Sequence, residues 1–297
     1  MKVLRQKMRV AFQGERGAFS EEAAVALLGE NIQLVPRPTL ESLFAAVKDK
    51  VADCSLVPIE NTIAGSIHRS YDLLLDSPLQ IIGESIIPVV HFLIGCAGST
   101  FESVEMVESH PVALAQCENF FADHPSLERL ATDDTAGSVR RVVRRGDPTR
   151  AAIAGERAAR IYGGQILRDH LEDHIQNYTR FFLLSDKTEI AEGADKISLI
   201  MKLPHRPGAL HRALAVFARR DIDLLKIESR PLSGSPWQYR FYLDLQERST
   251  DSKVIEALTD LGEQTDELRV LGCYRACEFH PVGAALRGRP NLPTKSD

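Results

Sequence analysis

Through residue 184 the chain alternates short apolar runs with amphipathic ones, and that rhythm leaves few architectures open. Met8 to Phe12 reads as a strand, followed by a glycine turn at Gly14 and Gly17. Ser20 then reads as a helix N-cap, with Glu21 and Glu22 in a first turn that suits the helix dipole. Thr39 reads as the cap of a second helix carrying Leu40, Leu43, Phe44 and Val47 on one face, and Asp53 to Ile59 returns as a strand. Repeated β-loop-α steps predict a mostly parallel sheet covered on both faces. The pattern resumes with strands at Val89 to Gly95 and Val104 to Val107, and helices at Pro111 to Phe121 and Thr135 to Arg145. A strand at Ala151 to Ala154 and a helix from Glu156 to Tyr162 complete it. Two α/β lobes follow, with ligands expected beyond the carboxyl ends of strands, in the cleft between the lobes.

Asp186 to Asp195 is polar and without period, and the pattern changes after it. Strands at Lys196 to Leu203, Asp223 to Ser229, Gln238 to Leu245 and Arg269 to Tyr274 alternate with helices starting at Pro207-Gly208 and at Lys253, with a turn at Ser233-Gly234. The order βαββαβ is that of a ferredoxin-like α+β module of about 80 residues. The expected division is a two-lobed unit over 8–187, the module over 196–277, and a disordered Gly-, Pro- and Arg-rich tail over 282–297. Two domains suit a length of 297 residues.

Net charge is −5, and the one basic run, Arg140-Arg141 with Arg144-Arg145, reads as a solvated helix face, so nucleic acid is not an expected partner. No apolar run approaches membrane-spanning length and the N-terminus lacks a signal-peptide core, so the expectation is a cytoplasmic protein with no membrane partner. The five cysteines, Cys54, Cys96, Cys117, Cys273 and Cys277, are odd in number and lack a CxxC pair, which argues against a disulfide framework. His110 is near Cys117 in sequence, but core packing is the stronger reading of that cysteine. His170 and His174 are four apart without an evident third ligand, and read as solvated rather than as a metal site.

Five polar clusters sit at strand-to-helix junctions. Gln13 to Ser20 puts a GxxG turn before a helix, where backbone N–H groups suit an anion. Glu60 and Asn61 emerge from a strand end into the cleft. Ser109, His110 and Gln116 surround the next junction, where Ser109 reads as an N-cap. Thr135 reads as a cap of the helix it begins. Asn177, Thr179 and Arg180 place an amide, a hydroxyl and a guanidinium in one stretch, and an arginine fork suits a carboxylate.

Taken in order, GERGAFSEEAA, VPIENTIAGSI, SHPVALAQC, DTAGSV, AAIAGERAARIYG and NYTRF resemble prephenate dehydratase from about residue 8 to 277. GAL at 208–210 and ESRP at 228–231 resemble an ACT domain. The resemblance implies a periplasmic-binding-protein-like dehydratase domain with its site in the cleft. It also implies an ACT domain that binds phenylalanine at a dimer interface, within a homodimer or homotetramer. The reaction implied is decarboxylative dehydration of prephenate to phenylpyruvate, without cofactor or metal. Carried over by motif, Thr179, Glu60 and Asn61 are catalytic, and Arg180, Ser109, Gln116, Asn177 and Thr135 bind substrate. Gly208, Ala209, Leu210, Glu228, Ser229, Arg230 and Pro231 bind the effector. No chorismate mutase-like segment is seen before the dehydratase region, so a fused bifunctional enzyme is not expected.

Residues 65–69, 71–75 and the DTAG stretch look like plant arogenate dehydratases, which keeps arogenate open as substrate. A non-catalytic, amino-acid-responsive binding protein on the same frame is the rival from another class. In the enzyme reading Arg180 holds one substrate carboxylate, the glycine-turn amides hold the other, and Thr179 hydrogen-bonds the departing oxygen. Glu60 acts as an acid only if burial raises its pKa.

Overall fold

The computed structural model describes residues 7–187, 190, 192–232, 234 and 237–278. The expected tail and Ser233 of the expected turn lie outside them. Three sheets organise the chain. The first is built from β1 (Arg9–Gln13), β2 (Gln33–Arg37), β3 (Cys54–Asn61), β4 (Gly65–Ser66) and β5 (Gln80–Pro88), with helices α1 (Phe19–Leu28), α2 (Leu40–Lys48) and α3 (His68–Leu75). The second contains β6 (Phe92–Gly95), β7 (Met106–Ser109), β8 (Glu128–Ala131), β9 (Arg150–Ala154) and β10 (Gln165–Arg168). Its helices are α4 (Pro111–Ala115), α5 (Glu118–Asp123), α6 (Thr135–Arg145) and α7 (Glu156–Tyr162). The chain then crosses back, and β11 (Tyr178–Ser185) completes the first sheet in the order β2-β1-β3-β11-β5, with β4 beside β3. The second sheet runs β10-β6-β9-β7-β8.

The two lobe sheets are mixed, a departure from the mostly parallel expectation. β1 pairs parallel with β2 and β3, and β7 with β8 and β9. β11 is antiparallel to both β3 and β5, and β6 to both β9 and β10. Local β-loop-α steps make the parallel pairs, whereas the strands next to a lobe crossing arrive reversed. Sequence periodicity sees the first kind of connection only. It also passes over β5, whose run carries Gly83 and Glu84 in its middle, and it joins α4 and α5, which break at Gln116. Ala18, not Ser20, is the N-cap of α1, whereas Thr39 caps α2 in a reciprocal capping box.

The two lobes are tightly packed near the α1 turn. A Cβ on Gly17, at φ +88°, would lie 2.7 Å from the Ala158 Cα on α7, so only glycine fits there. Phe12 and Ala18 of the first lobe share a core with Ile94, Ala136 and Ala158 of the second.

The C-terminal module follows the expected βαββαβ order: β12 (Lys196–Lys202), α8 (Ala209–Ala218), β13 (Leu224–Pro231), β14 (Tyr239–Leu245), α9 (Ser252–Gln264) and β15 (Glu267–Tyr274). Its sheet runs β13-β14-β12-β15, with α8 and α9 over one face. The other face sits on the first lobe. Ile200, Tyr242, Leu271 and Tyr274 enter the same core as Leu43, Phe44, Phe182 and Leu184. At Gly272 the approach is backbone to backbone, since a Cβ there would lie 2.1 Å from the Ile81 carbonyl oxygen.

Glu21, fully buried, ties the lobes together. It accepts from Arg16 Nε at 2.7 Å, from the Gly17 N–H at 3.0 Å and from Arg157 Nε of α7 at 2.9 Å. Burial pushes its carboxyl up, but these donors outweigh burial and hold it below the usual carboxylate range. A depressed carboxylate contributes stability that is complete above its unfolded value, about 4.3, and lost as pH falls through the folded value. Glu21→Gln is therefore expected to lose about 3 kcal/mol near neutrality, as for a broken buried pair. Urea midpoints should show that gap closing as both proteins are taken to about pH 3.

Candidate active site

A cavity of about 820 Å³ opens between the lobes. The first lobe lines it with the turn from Gln13 to Ser20, and the second with His110, Asp133, Asp134, Thr135, Arg140 and Tyr162. Thr135 is the one member of the expected substrate set on this wall. It is the first residue of α6, not its cap. Asp134 is the cap, accepting the Gly137 N–H at 2.6 Å. The α4 junction shifts in the same way. His110 caps α4 through Nδ1, which accepts the Val112 N–H, and Ser109 is fully buried, donating to the Ile153 carbonyl at 2.6 Å. Two of the first-cluster amides are also occupied: Gly14 N–H donates to the Arg37 carbonyl, and Gly17 N–H to Glu21. Glu21 thus takes one amide of the turn expected to hold substrate, while Ala18 gives the start of α1 no side-chain cap.

At the lobe crossing, outside the lining of that cavity, a chain of amides ends on a hydroxyl. Asn61 Oδ1 accepts the backbone N–H groups of Ile63 at 3.0 Å and Ala64 at 2.8 Å. Backbone N–H groups can only donate, so the orientation of this amide is fixed. Asn61 Nδ2 must then donate, and its two hydrogens face Asn177 Oδ1 at 2.7 Å, the Tyr178 carbonyl at 3.0 Å and Thr179 Oγ1 at 3.0 Å. Asn177 Nδ2 passes the polarity on to Gln116 Oε1 at 3.0 Å. Gln116 Nε2 stands 3.5 Å from Asn61 Oδ1, closing the ring of side chains. Thr179 Oγ1 is an acceptor toward Asn61, so its own proton points elsewhere. Asn177 is 1% exposed and Gln116 9%, whereas Thr179 is half-buried.

Arg180 faces the other way. In the ladder Thr179 pairs with Asn61 and Arg180 with Glu60, and successive strand side chains point to opposite sides. The Arg180 guanidinium, 7% exposed, donates to Glu84 at 2.8 Å, to Asp244 of β14 at 2.6 Å, to Tyr274 of β15 at 3.2 Å and to Glu60 at 3.3 Å. Lys196 of β12 reaches Glu84 at 2.9 Å, and Lys226 of β13 pairs with the second oxygen of Glu60. Burial opposes the charge on Arg180, but Asp244, Tyr274 and Glu84 overcome it and hold the pKa above the ordinary arginine value. Arg180, expected as substrate partner, and Glu60, expected as cleft acid, are instead found in mutual contact and outside the lining of the larger cavity. Both belong to an ion network that joins the dehydratase-like lobe to the C-terminal module. A hollow of about 390 Å³ is lined by Glu60, Asn61, Thr62, Ile86, Tyr178 and Arg180.

A cation missed by the sequence reading is Arg140. It lines the cavity and pairs with Glu15 across the lobes at 2.7 Å, although it had looked solvated. Its partner Arg141 donates to buried Glu108 at 3.0 Å. The usable signal was its place in the second turn of α6, whose start had already been singled out. Cys117 is fully buried, and burial pushes its thiol well up, which removes it as a nucleophile. His170 sits at φ +51° outside any helix and pairs with Glu172. No cluster of metal-ligating side chains occurs among the described residues.

The expected effector residues also divide by strand alternation. Glu228 accepts from Ser66 at 2.8 Å and Arg230 donates to Asp72 at 3.2 Å, both toward the first lobe. Ser229 pairs with Phe241, on the side that carries α8, and Ser229 and Pro231 are exposed. Gly208 is the αL cap of α8, followed by half-buried Ala209 and Leu210.

The prephenate dehydratase family model matches residues 10–189, and the ACT domain model residues 197–263. The chain belongs to the prephenate dehydratase family. It is 41% identical over 280 residues to the chloroplastic arogenate dehydratase/prephenate dehydratase 2 of Arabidopsis thaliana, covering 90% of this chain and 73% of that one. Among solved structures, the prephenate dehydratase of Arthrobacter aurescens in complex with L-Phe superposes with a TM-score of 0.83 at 30% identity, covering 90% of both chains. GqqA, described as a novel type of quorum quenching acylase, also superposes at 0.83 and 30% identity, covering 91% of this chain and 98% of its own.

If Arg180 is a structural ion, Arg180→Met should lower stability by about 3–5 kcal/mol, because it leaves buried Asp244 without a cation among the described residues. KM of the protein that remains folded should stay close to wild type. Thermal unfolding alongside steady-state kinetics separates this from a substrate role, in which KM would rise and unfolding would not move.

Proposed function

We propose that this chain is a lyase that converts prephenate to phenylpyruvate, with loss of water and carbon dioxide, in phenylalanine formation. The observation that carries the reading is the fixed polarity of the amide chain. Asn61 donates to Thr179 Oγ1, which leaves the Thr179 proton to donate to a departing oxygen. An alcohol is too weak an acid to surrender that proton outright, so its role is a hydrogen bond that strengthens as charge develops on the leaving group. Aromatisation of the ring drives the step, so the residues need only hold the substrate and stabilise the departing hydroxide. Asn177 and Gln116 keep Asn61 in place. Arg140, on the cavity wall, is read as the carboxylate partner, because Arg180 is already engaged by Glu60, Glu84 and Asp244.

Arogenate is the second substrate to consider, because the Arabidopsis relative is named for both substrates. Arogenate carries an ammonium group on its side chain, and the acidic residues Glu15, Asp133 and Asp134 on the cavity wall suit it. Turnover of the two compounds side by side decides between them.

The C-terminal module is read as the phenylalanine sensor, supported by the L-Phe complex of the Arthrobacter relative. Gly208, Ala209, Leu210 and Ser229, all on the α8 side, are read as its contacts. Edge strand β13 exposes Leu225 and Ile227, which supports pairing with a second copy in a homodimer or homotetramer. Glu228 and Arg230 then carry the effector's signal to the first lobe. Five free cysteines suit a reducing compartment such as the cytoplasm. Among the described residues no helix is long and apolar enough to cross a membrane.

Thr179→Ala should reduce kcat about a hundredfold or more, with Thr179→Ser retaining most of the rate and both variants folded. Near-normal phenylpyruvate formation by the alanine variant would end the donor role. Phenylalanine should slow the wild-type enzyme, with a midpoint displaced by Ser229→Trp. Unchanged rate and sedimentation in its presence would contradict the sensor reading.

A further inference from the structure

The amide chain does not end at Gln116. His91, 1% exposed, lies on the segment that crosses between the lobes, and its Nε2 is 2.9 Å from Gln116 Oε1. We propose that His91 is a positioning residue for the Thr179 hydroxyl, acting through Gln116 and Asn177. The inference rests on the dehydratase reading of Thr179.

The backbone N–H groups of Ile63 and Ala64 set the direction at one end, so each amide in turn presents oxygen backward and nitrogen forward. Gln116 Oε1 already accepts from Asn177 Nδ2. The ring nitrogen that meets it must therefore carry a hydrogen. His91 is then a neutral imidazole with its proton on Nε2, and Nδ1 is a bare lone pair. Nδ1 is buried without a hydrogen-bond partner, a cost native structures seldom retain without a role. Burial lowers the pKa of the ring, more than Gln116 and Glu172 raise it, which keeps that form at neutral pH. The ring is fixed by its surroundings. Its backbone N–H donates to Glu172 at 2.8 Å, and Phe19, which lines the cavity, meets it edge-on with centroids 5.7 Å apart. His91 thus clamps the far end of the relay while touching one wall of the cavity.

The test compares two replacements in the full chain, with prephenate and arogenate as substrates. Glutamine puts an N–H donor near the position of Nε2, and phenylalanine fills the space without one. His91→Phe should lose about tenfold to a hundredfold in kcat, the scale of a misplacement near 1 Å, with KM changed far less. His91→Gln should recover most of that loss. Equal kcat per folded molecule in both variants and wild type would overturn the proposal, and so would equal loss in both. A wild-type protein inactive on both substrates would instead overturn the dehydratase reading together with it. Nitrogen-15 spectra of the ring give a readout independent of turnover. The signal absent from His91→Gln should be that of a neutral ring protonated on Nε2, and a charged or Nδ1-protonated ring contradicts the proposal.

Discussion

Residues 179 and 180 are joined by a peptide bond, yet β11 sends their side chains to opposite faces, because a pleated strand alternates. On one face Thr179 meets Asn61. On the other Arg180 meets Glu60, Glu84 and Asp244 beneath the C-terminal module. A slip of one residue in the pairing of β3 with β11 would exchange the two faces. The buried ions oppose that exchange, since among the described residues an arginine moved out of this site would leave Asp244 without a cation and Glu84 with Lys196 alone. Packing against the C-terminal module therefore holds the register that presents the hydroxyl on the opposite face.

This arrangement also suggests how a signal crosses the molecule. β12, β14 and β15 of the C-terminal module each contribute a group to the ion network, through Lys196, Asp244 and Tyr274. A rearrangement of that sheet reaches β11 one residue from Thr179. Lys226, Glu228 and Arg230 add three further ties from β13 to the first lobe. Alternation along β13 separates them from Ser229 on the α8 side, just as alternation along β11 separates Arg180 from Thr179. Two states of such a network, each satisfying its charges differently, would be enough to couple the domains.

Periodicity made the lobes and the module legible, because most helices and strands follow directly from local pattern. The family motifs brought Thr179, Asn61, Asn177 and Gln116 together, and the structure joins these four in one hydrogen-bonded chain. The placement of Arg180 was not legible. Its partners Glu84, Tyr274 and Asp244 lie 96, 94 and 64 residues away in sequence, and a strand that packs against another domain looks locally like one that faces a cleft. Ser109 and Thr135 were ambiguous for a different reason, since capping and substrate binding favour the same side chains. The structure gave the caps to their neighbours His110 and Asp134. Arg140 was overlooked because an arginine run on a helix reads as surface until the opposite lobe is in place.

The central claim is that the direction of hydrogen bonding through Asn61 frees the Thr179 proton. Asn61→Asp tests it with almost no change of shape. The aspartate can still accept the Ile63 and Ala64 N–H groups, but the former donor atom becomes an acceptor and captures the Thr179 hydroxyl. The steady-state rate of phenylpyruvate formation by this variant, with folding checked by thermal unfolding, is the measurement to make. A fall of about a hundredfold or more in kcat is predicted. A folded Asn61→Asp protein that turns over at the wild-type rate would contradict the account.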